Sequence, residues 1–477
     1  MASVKTNIAY NFAYQVLILA LPLITAPYLS RVIGANGVGT YSYSYAIATY
    51  FVYIVMLGLN NYGNRTIAAS STRGERSRAF WSIYAMQVAC FVIAAIAYVV
   101  YIAFAAEDKL VASLQGIYVL SSLFDINWFF FGAEQFKLTV IRNTVVKLIT
   151  VALIFLLVKS ASDVALYIGI MAAGTLLSQI VLWPFLKRFV DFYRPSLRDI
   201  IPHIKPNAIL FVSVIAISVY NTLSRIILGY IAGTESVGYF ENAVKIVSVP
   251  TSLVSAVGTV LLPRTSALLA EGRQSEAESH IDKTMTCMMA FAAVATFGIP
   301  CIAESFTTVF YGPGFEETAQ VLVVLSATIP LLAFGNVMRT QYLIPKGKDS
   351  VFLLSAACGA LASVVVNILL VPHFGSIGAA FASVSAEAAV LACQLLCVRK
   401  TFPVWKYLAV SSVFILCGGV MAFTLQYTPH PTNDIANTFT TVMMGLLIYL
   451  PLAGACTFVI LKRSKKARLS KDGRHQS

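Results

Sequence analysis

The chain has 477 residues, 58% of them hydrophobic and only 12% charged, with a formal net charge of +13. Soluble domains carry about 25% charged residues, so this composition excludes a soluble globular protein. The basic excess sits at the ends of apolar runs, which makes it a membrane-retention charge and argues against a nucleic-acid partner.

About fourteen apolar stretches of roughly 20 residues follow one another, each long enough to cross ~30 Å of hydrocarbon as a helix. In chain order they are predicted at 8–30, 39–62, 80–105, 110–131, 139–158, 164–186, 206–231, 238–262, 281–303, 320–344, 351–371, 376–398, 406–427 and 439–461. The fold predicted is therefore an all-α polytopic membrane protein. With the N-terminus placed inside, only Arg31, Lys109 and Lys159 fall in outside gaps, and Lys147, Arg225, Lys245 and Arg339 fall well within spans. The other Lys and Arg lie in, or within a turn of, the inside gaps, so both termini are predicted to be cytoplasmic. The eight cysteines lie within or at the ends of spans without paired spacing, and read as small packing residues.

The order of spans divides near the middle. The longest inside gap carries Lys187, Arg188, Arg194, Arg198 and Lys205 and reads as a linker. On that basis residues 1–190 form an N-lobe of six spans, 191–205 the linker and 206–400 a C-lobe of six spans. Two further spans fill 401–461, and 462–477 is a basic tail. An internal repeat supports the division: "LSRVIGANGVGTYSYSYAI" from Leu29 is similar to "LSRIILGYIAGTESVGYFENAVKI" from Leu223. Val38-Gly39 aligns with Val237-Gly238 at an offset of 199, as does Arg65-Thr66 with Arg264-Thr265. Six crossings per copy give both copies the same orientation, an arrangement suited to alternating access. Pro22, Pro27, Pro250 and Pro330 each remove a backbone hydrogen bond inside a span and are the candidate hinges.

An ionisable side chain inside a membrane costs several kcal/mol unless it meets water or a partner, so each one is a candidate functional residue. Arg31 ends the first span, and Arg225 lies roughly 9 Å inside the outer end of the seventh. Glu241 and Lys245 are four apart and share a helix face at a similar depth, either as a simple pair or as part of a cationic site. Such a site attracts phosphate, pyrophosphate or acidic sugars. Asp125 and Lys147 lie at similar inner depths and are candidates to pair. Glu387 stands alone near the middle of the twelfth span and, with Asp125 and Glu241, is a candidate for H⁺ or Na⁺ coupling. Arg65, Lys147 and Arg264 are candidate cytoplasmic-side charges, and Arg339 joins the cationic set. No histidine–acid cluster suited to catalysis and no metal-ligand spacing is present, so an enzyme with a bound cofactor is not expected.

Several segments together resemble the Wzx-type O-antigen and polysaccharide flippases of the MATE-like multidrug/oligosaccharidyl-lipid/polysaccharide exporter superfamily. They are "LPLITAPYLSRVIGANGVGTYSYSYAI", "LGLNNYGNR", "FDINWFFFGAEQFKLTVIRN", "GYFENAVKI" and "LLPRTS". The resemblance implies two pseudo-symmetric six-helix lobes plus two C-terminal helices. It also implies movement of undecaprenyl-pyrophosphate-linked oligosaccharide between the leaflets of the bacterial inner membrane. A polysaccharide polymerase and a chain-length regulator would be its neighbours in the bilayer. Arg31, Arg225, Lys245 and Arg339 would then meet the pyrophosphate or charged sugars. The family's acid just before the span-seven cation is Ser224 here, which leaves Glu241 and Glu387 as coupling candidates. A MATE-like cation-coupled antiporter and a membrane polysaccharide polymerase or ligase are the alternatives.

Overall fold

A computed structural model describes residues 4–428 and 431–475; His430 and the last two residues of the basic tail lie outside the described residues. The helices are α1 Val4–Met56, α2 Leu59–Ala68, α3 Arg73–Phe104, α4 Lys109–Ser121, α5 Asn127–Gly132, α6 Phe136–Leu157, α7 Val164–Ile180 and α8 Trp183–Leu186. They continue as α9 Leu197–Ala270, α10 Gln274–Tyr311, α11 Glu316–Ser326, α12 Thr328–Met338, α13 Asp349–Val398, α14 Val404–Leu425 and α15 Asp434–His475. No strand occurs among the described residues. This is the composition's expectation met: with no water to satisfy backbone groups, a spanning segment must close its hydrogen bonds internally.

Eleven helical stretches among the described residues are long and apolar enough to cross a membrane, against the fourteen spans predicted. Three of the eleven run to 49 or 50 residues. A straight helix of that length would measure roughly 74 Å, more than twice the hydrocarbon core. The chain instead leaves helical geometry inside each of α1, α9 and α13, at Gly34, Gly233 and Gly375. The span predicted at 110–131 does not form one helix either, since α4 stops at Ser121 and α5 begins only at Asn127. Outward faces are apolar throughout. On α3 alone, Val92, Ile93, Ile96, Val99 and Val100 are each half or more exposed, as side chains that meet hydrocarbon should be.

The predicted proline hinges are not where the long helices break. Pro22 and Pro27 sit within helical α1, and the break comes at Gly34 (φ 68°, ψ 179°). Its mate at the same offset of 199, Gly233, breaks α9 with φ 85° and ψ 168°. Positive φ with extended ψ is accessible to glycine and strained for other residues. Pro330 does mark a break. It lacks the N–H that would bond Ser326, the last residue of α11, and α12 restarts at Thr328.

Two compact units make up the fold. The first holds Met1–Ser218 with Gly233–Gly238, and the second Val219–Ala232 with Tyr239–Ser477. Within the first unit, residues 34–39 pack against residues 233–238. A Cβ at Gly39 would overlap the Thr234 carbonyl, and a Cβ at Gly238 would overlap the Ala35 carbonyl. Ala35 and Thr234 are themselves 199 apart, so the contact is reciprocal between repeat mates. Thr234 Oγ1 adds a 2.5 Å hydrogen bond to Asn36 Oδ1.

One end of this unit is held by an aromatic core. Trp128, Phe129 and Phe130 of α5 are fully buried among Leu59, Phe80 and Ile83. Phe80 stacks on Trp128 with ring centroids 5.5 Å apart. These aromatics fill the interior, so the "NWFFFG" run serves packing. Beyond α8 the chain lies against the start of α3. Arg73 forms a bidentate pair with Asp191, and Arg78 donates from Nε and Nη2 to the single oxygen Oδ1 of Asp199. Hydrogen bonds from Arg73 hold the exposed Asp191 carboxyl below its usual range. In the second unit, Asp282 of α10 accepts from Lys406 and Tyr407 of α14 and from Ser464 of α15, which ties the last two helices to the body.

Candidate functional site

The second unit gathers most of the predicted charges. α9 carries Arg225 before its glycine break and Glu241 and Lys245 after it. The bend at Gly233 folds the two arms so that Arg225 Nε donates to Glu241 Oε2 at 2.7 Å. Their side chains are 20% and 17% exposed. Glu241 and Lys245 had been candidates to pair by spacing alone, but the carboxylate is taken by Arg225. Lys245 Nζ instead points to Asn242 Oδ1 at 3.4 Å. Asn242 is buried, and its carbonyl is fixed by the hydroxyl of fully buried Tyr311 at 2.8 Å.

Arg225 opens on a cavity of about 300 Å³ lined also by Ser224, Ser248, Thr328, Ser383 and Glu387. A second cavity of about 260 Å³ is lined by Glu387, Arg339, Asn336, Ser355 and Gln394. Glu387 therefore lines both cavities, one shared with Arg225 and the other with Arg339. Arg339 begins a five-residue π-helical turn, a local widening that often marks functional sites. Its guanidinium lies over the Phe352 ring at 5.6 Å. The wall also holds unspent acceptors. Asn336 Oδ1 and Gln394 Oε1 are buried with no hydrogen-bond partner among the described residues, although such groups normally find one. Reasoning from charges passed over both amides. The available signal was a neutral amide inside an otherwise apolar run.

The other predicted residues lie apart from these cavities. Arg31 is exposed near the end of the first arm of α1, and Arg65 and Arg264 are exposed on α2 and α9. Lys147 is half-buried on α6. Asp125 does not pair with it: its Oδ1 accepts from the backbone N–H of Asn127 at 3.0 Å and from Asn127 Nδ2 at 2.7 Å. The cation serving this corner is Arg142, which is 5% exposed. It donates to Asn127 Oδ1 at 2.7 Å, to Gln179 Oε1 at 3.1 Å and to the Ser178 carbonyl. Gln87 completes the clamp, donating to the carbonyls of Ser122 and Asp125 and accepting from Trp128. This buried network ties the loop between α4 and α5 to α3, α6 and α7.

No group of three or more metal-ligating side chains occurs among the described residues. The arrangement is that of a multi-pass helical membrane carrier with charged chambers in its second unit. In solved structures the same fold appears in "Lipid II flippase MurJ, inward closed conformation", at a TM-score of 0.77 and 15% identity, covering 94% of this chain and 98% of that one. It appears again in an inward-facing multidrug resistance MATE family transporter of the MOP superfamily, at a TM-score of 0.55, 15% identity and coverages of 82% and 99%. At such identity these likenesses establish the fold. In sequence, the chain is 25% identical over 404 residues to the putative O-antigen transporter of Escherichia coli (strain K12), covering 83% of this chain and 97% of that protein. Residues 4–269 match the polysaccharide biosynthesis protein family, and the chain belongs to it.

Proposed function

We propose that this protein is a flippase that moves undecaprenyl-pyrophosphate-linked oligosaccharide, the repeat unit of an O-antigen or related polysaccharide. Movement runs from the inner to the outer leaflet of the bacterial inner membrane by alternating access. Both termini are cytoplasmic in this reading, six-span lobes rock about the 191–205 linker, and a polymerase and a chain-length regulator act on the delivered units. The observation that carries it is Arg225, a cation inside the membrane-spanning part of the chain, lining a cavity with polar side chains and paired with Glu241. Lys245 lies one turn beyond Glu241 and Arg339 lines the adjoining cavity with Glu387, so three cations stand against two acids and the local charge is net positive, suited to an anionic headgroup. The family and the O-antigen transporter likeness support the same reading. Arg31 and Arg339 extend the cationic path, and Arg65, Lys147 and Arg264 attract the headgroup from the cytoplasmic side.

Coupling is assigned to Glu387. Its carboxylate can take up a proton, or with the two unspent amide oxygens coordinate Na⁺, but the Arg339 guanidinium on the same wall repels a bare cation. A proton on Glu387 is therefore the proposed coupling species, with Glu241 and Asp125 held in their own pairings.

A strain deleted for the gene is expected to accumulate lipid-linked repeat units on the cytoplasmic leaflet, and the wild-type gene to clear them. Collapsing the proton gradient should arrest clearance by wild type. Glu387→Gln should clear slowly and with little further loss on collapse. A deletion strain with no accumulated lipid-linked sugar would rule the flippase out in favour of an antiporter. Equal sensitivity of Glu387→Gln and wild type would remove Glu387 from the coupling.

A further inference from the structure

We infer that Glu241 is a displaceable counter-ion: the transported anion takes its place on Arg225 when it binds, and Glu241 reclaims Arg225 when the anion leaves. The inference rests on the flippase reading and adds a role for an acid in a site otherwise built to attract anions.

The geometry places Glu241 as a competitor. Its Oε2 occupies the Nε edge of Arg225 at 2.7 Å, an edge that a phosphoryl oxygen uses in a forked guanidinium–phosphate contact. Arg225 lines the cavity, and both side chains of the pair are partly exposed, so an anion in the cavity can reach the guanidinium that Glu241 holds. Lys245, one turn along the same arm of α9, is held only by a 3.4 Å contact to Asn242 Oδ1. Its charge lies within reach of both Glu241 and Arg225. Glu241 is held by Arg225 and shares its electrostatic surroundings with Lys245 and the Tyr311 hydroxyl. A carboxylate freed from Arg225 has Lys245 to move towards, so displacement need not leave a buried charge unpaired.

A carrier needs this device for a physical reason. Two cations in a poorly solvated chamber would bind a pyrophosphate tightly, and tight binding in every state slows release as much as it helps capture. A tethered carboxylate lowers affinity and speeds departure, because its effective concentration beside Arg225 exceeds that of any free anion. A static pair that merely neutralises Arg225 predicts the opposite response to substitution: loss of Glu241 would release Arg225 from its place and weaken binding.

The test uses the full-length protein in lipid nanodiscs with undecaprenyl pyrophosphate as the probe, comparing wild type with Glu241→Gln and Glu241→Asp. Turnover of undecaprenyl-pyrophosphate-linked oligosaccharide is followed in proteoliposomes of the same variants. Glu241→Gln is expected to bind roughly tenfold more tightly and to turn over several-fold more slowly, lowering KM and kcat together. Glu241→Asp, whose shorter arm reaches Arg225 less well, should fall between. Binding by either variant that is unchanged or weaker than wild type overturns the inference, and if Glu241→Gln does not fold, Glu241→Asp alone decides it. If wild type itself binds no undecaprenyl pyrophosphate, the flippase reading fails first, an outcome distinct from the others.

Discussion

Arg225→Ala is expected to reduce clearance of lipid-linked repeat units by about a hundredfold per molecule of membrane-inserted protein, and Arg225→Lys to keep roughly a tenth of wild-type clearance. Truncating one partner of a partly buried ion pair costs about 2–5 kcal/mol, and each ~1.4 kcal/mol is a factor of ten. In Arg225→Ala the remaining Glu241 and Lys245 cancel, and an anion entering the cavity meets no net attraction. Lysine restores the charge but not the planar fork that grips a phosphate at two points. Part of the alanine effect could reflect instability from an uncompensated Glu241. The double variant Arg225→Ala/Glu241→Gln removes that charge as well. It should recover membrane levels and thermal stability while remaining inactive. Recovery of transport in the double variant would show that Arg225 serves only to neutralise Glu241.

Gly238→Val is expected to abolish the reciprocal contact of residues 34–39 with residues 233–238, and with it most transport. The atom that a Cβ at Gly238 would meet is the Ala35 carbonyl, which is backbone and cannot rotate away. Overpacking of this kind costs about 1–3 kcal/mol where neighbours can yield, and more where they cannot. Asn36→Cys paired with Thr234→Cys gives a direct readout, because those side chains already meet at 2.5 Å. Crosslinking of this pair should be rapid with Gly238 present and at least tenfold slower with valine. Gly39→Val should match it, since its clash is with the repeat mate of Ala35. Unchanged crosslinking in both would mean that the two glycines are not held in this contact.

Much of the architecture is legible in the sequence, because a bilayer imposes length and polarity on each span and leaves a strong signature in composition. The repeat is legible too. An offset noted at Val38-Gly39 and Arg65-Thr66 reappears in the backbone as the twin breaks at Gly34 and Gly233. What the sequence does not convey is rotation about the helix axes. Glu241 and Lys245 are four apart and look like a pair, yet the bend at Gly233 brings Arg225 to Glu241 first. Asp125 and Lys147 lie at matching depths, yet Asp125 is satisfied two residues away by Asn127, with Arg142 behind it. Prolines drew attention as hinges because they break hydrogen bonds, whereas the sharpest departures from helical geometry need the positive φ that glycine supplies. The cavity walls were partly missed for a different reason. Asn336 and Gln394 are uncharged, and their significance shows only when burial leaves their oxygens without donors.

The most direct test of the cationic-chamber account is leaflet exchange in vesicles containing only the purified protein and undecaprenyl-pyrophosphate-linked oligosaccharide. The assay measures how fast the sugar becomes accessible to an enzyme added outside. Wild type should expose the inner-leaflet pool within minutes, and Arg225→Ala should leave it as protected as in protein-free vesicles. Equal exposure by wild type and Arg225→Ala would contradict the account, as would wild-type vesicles no faster than empty ones.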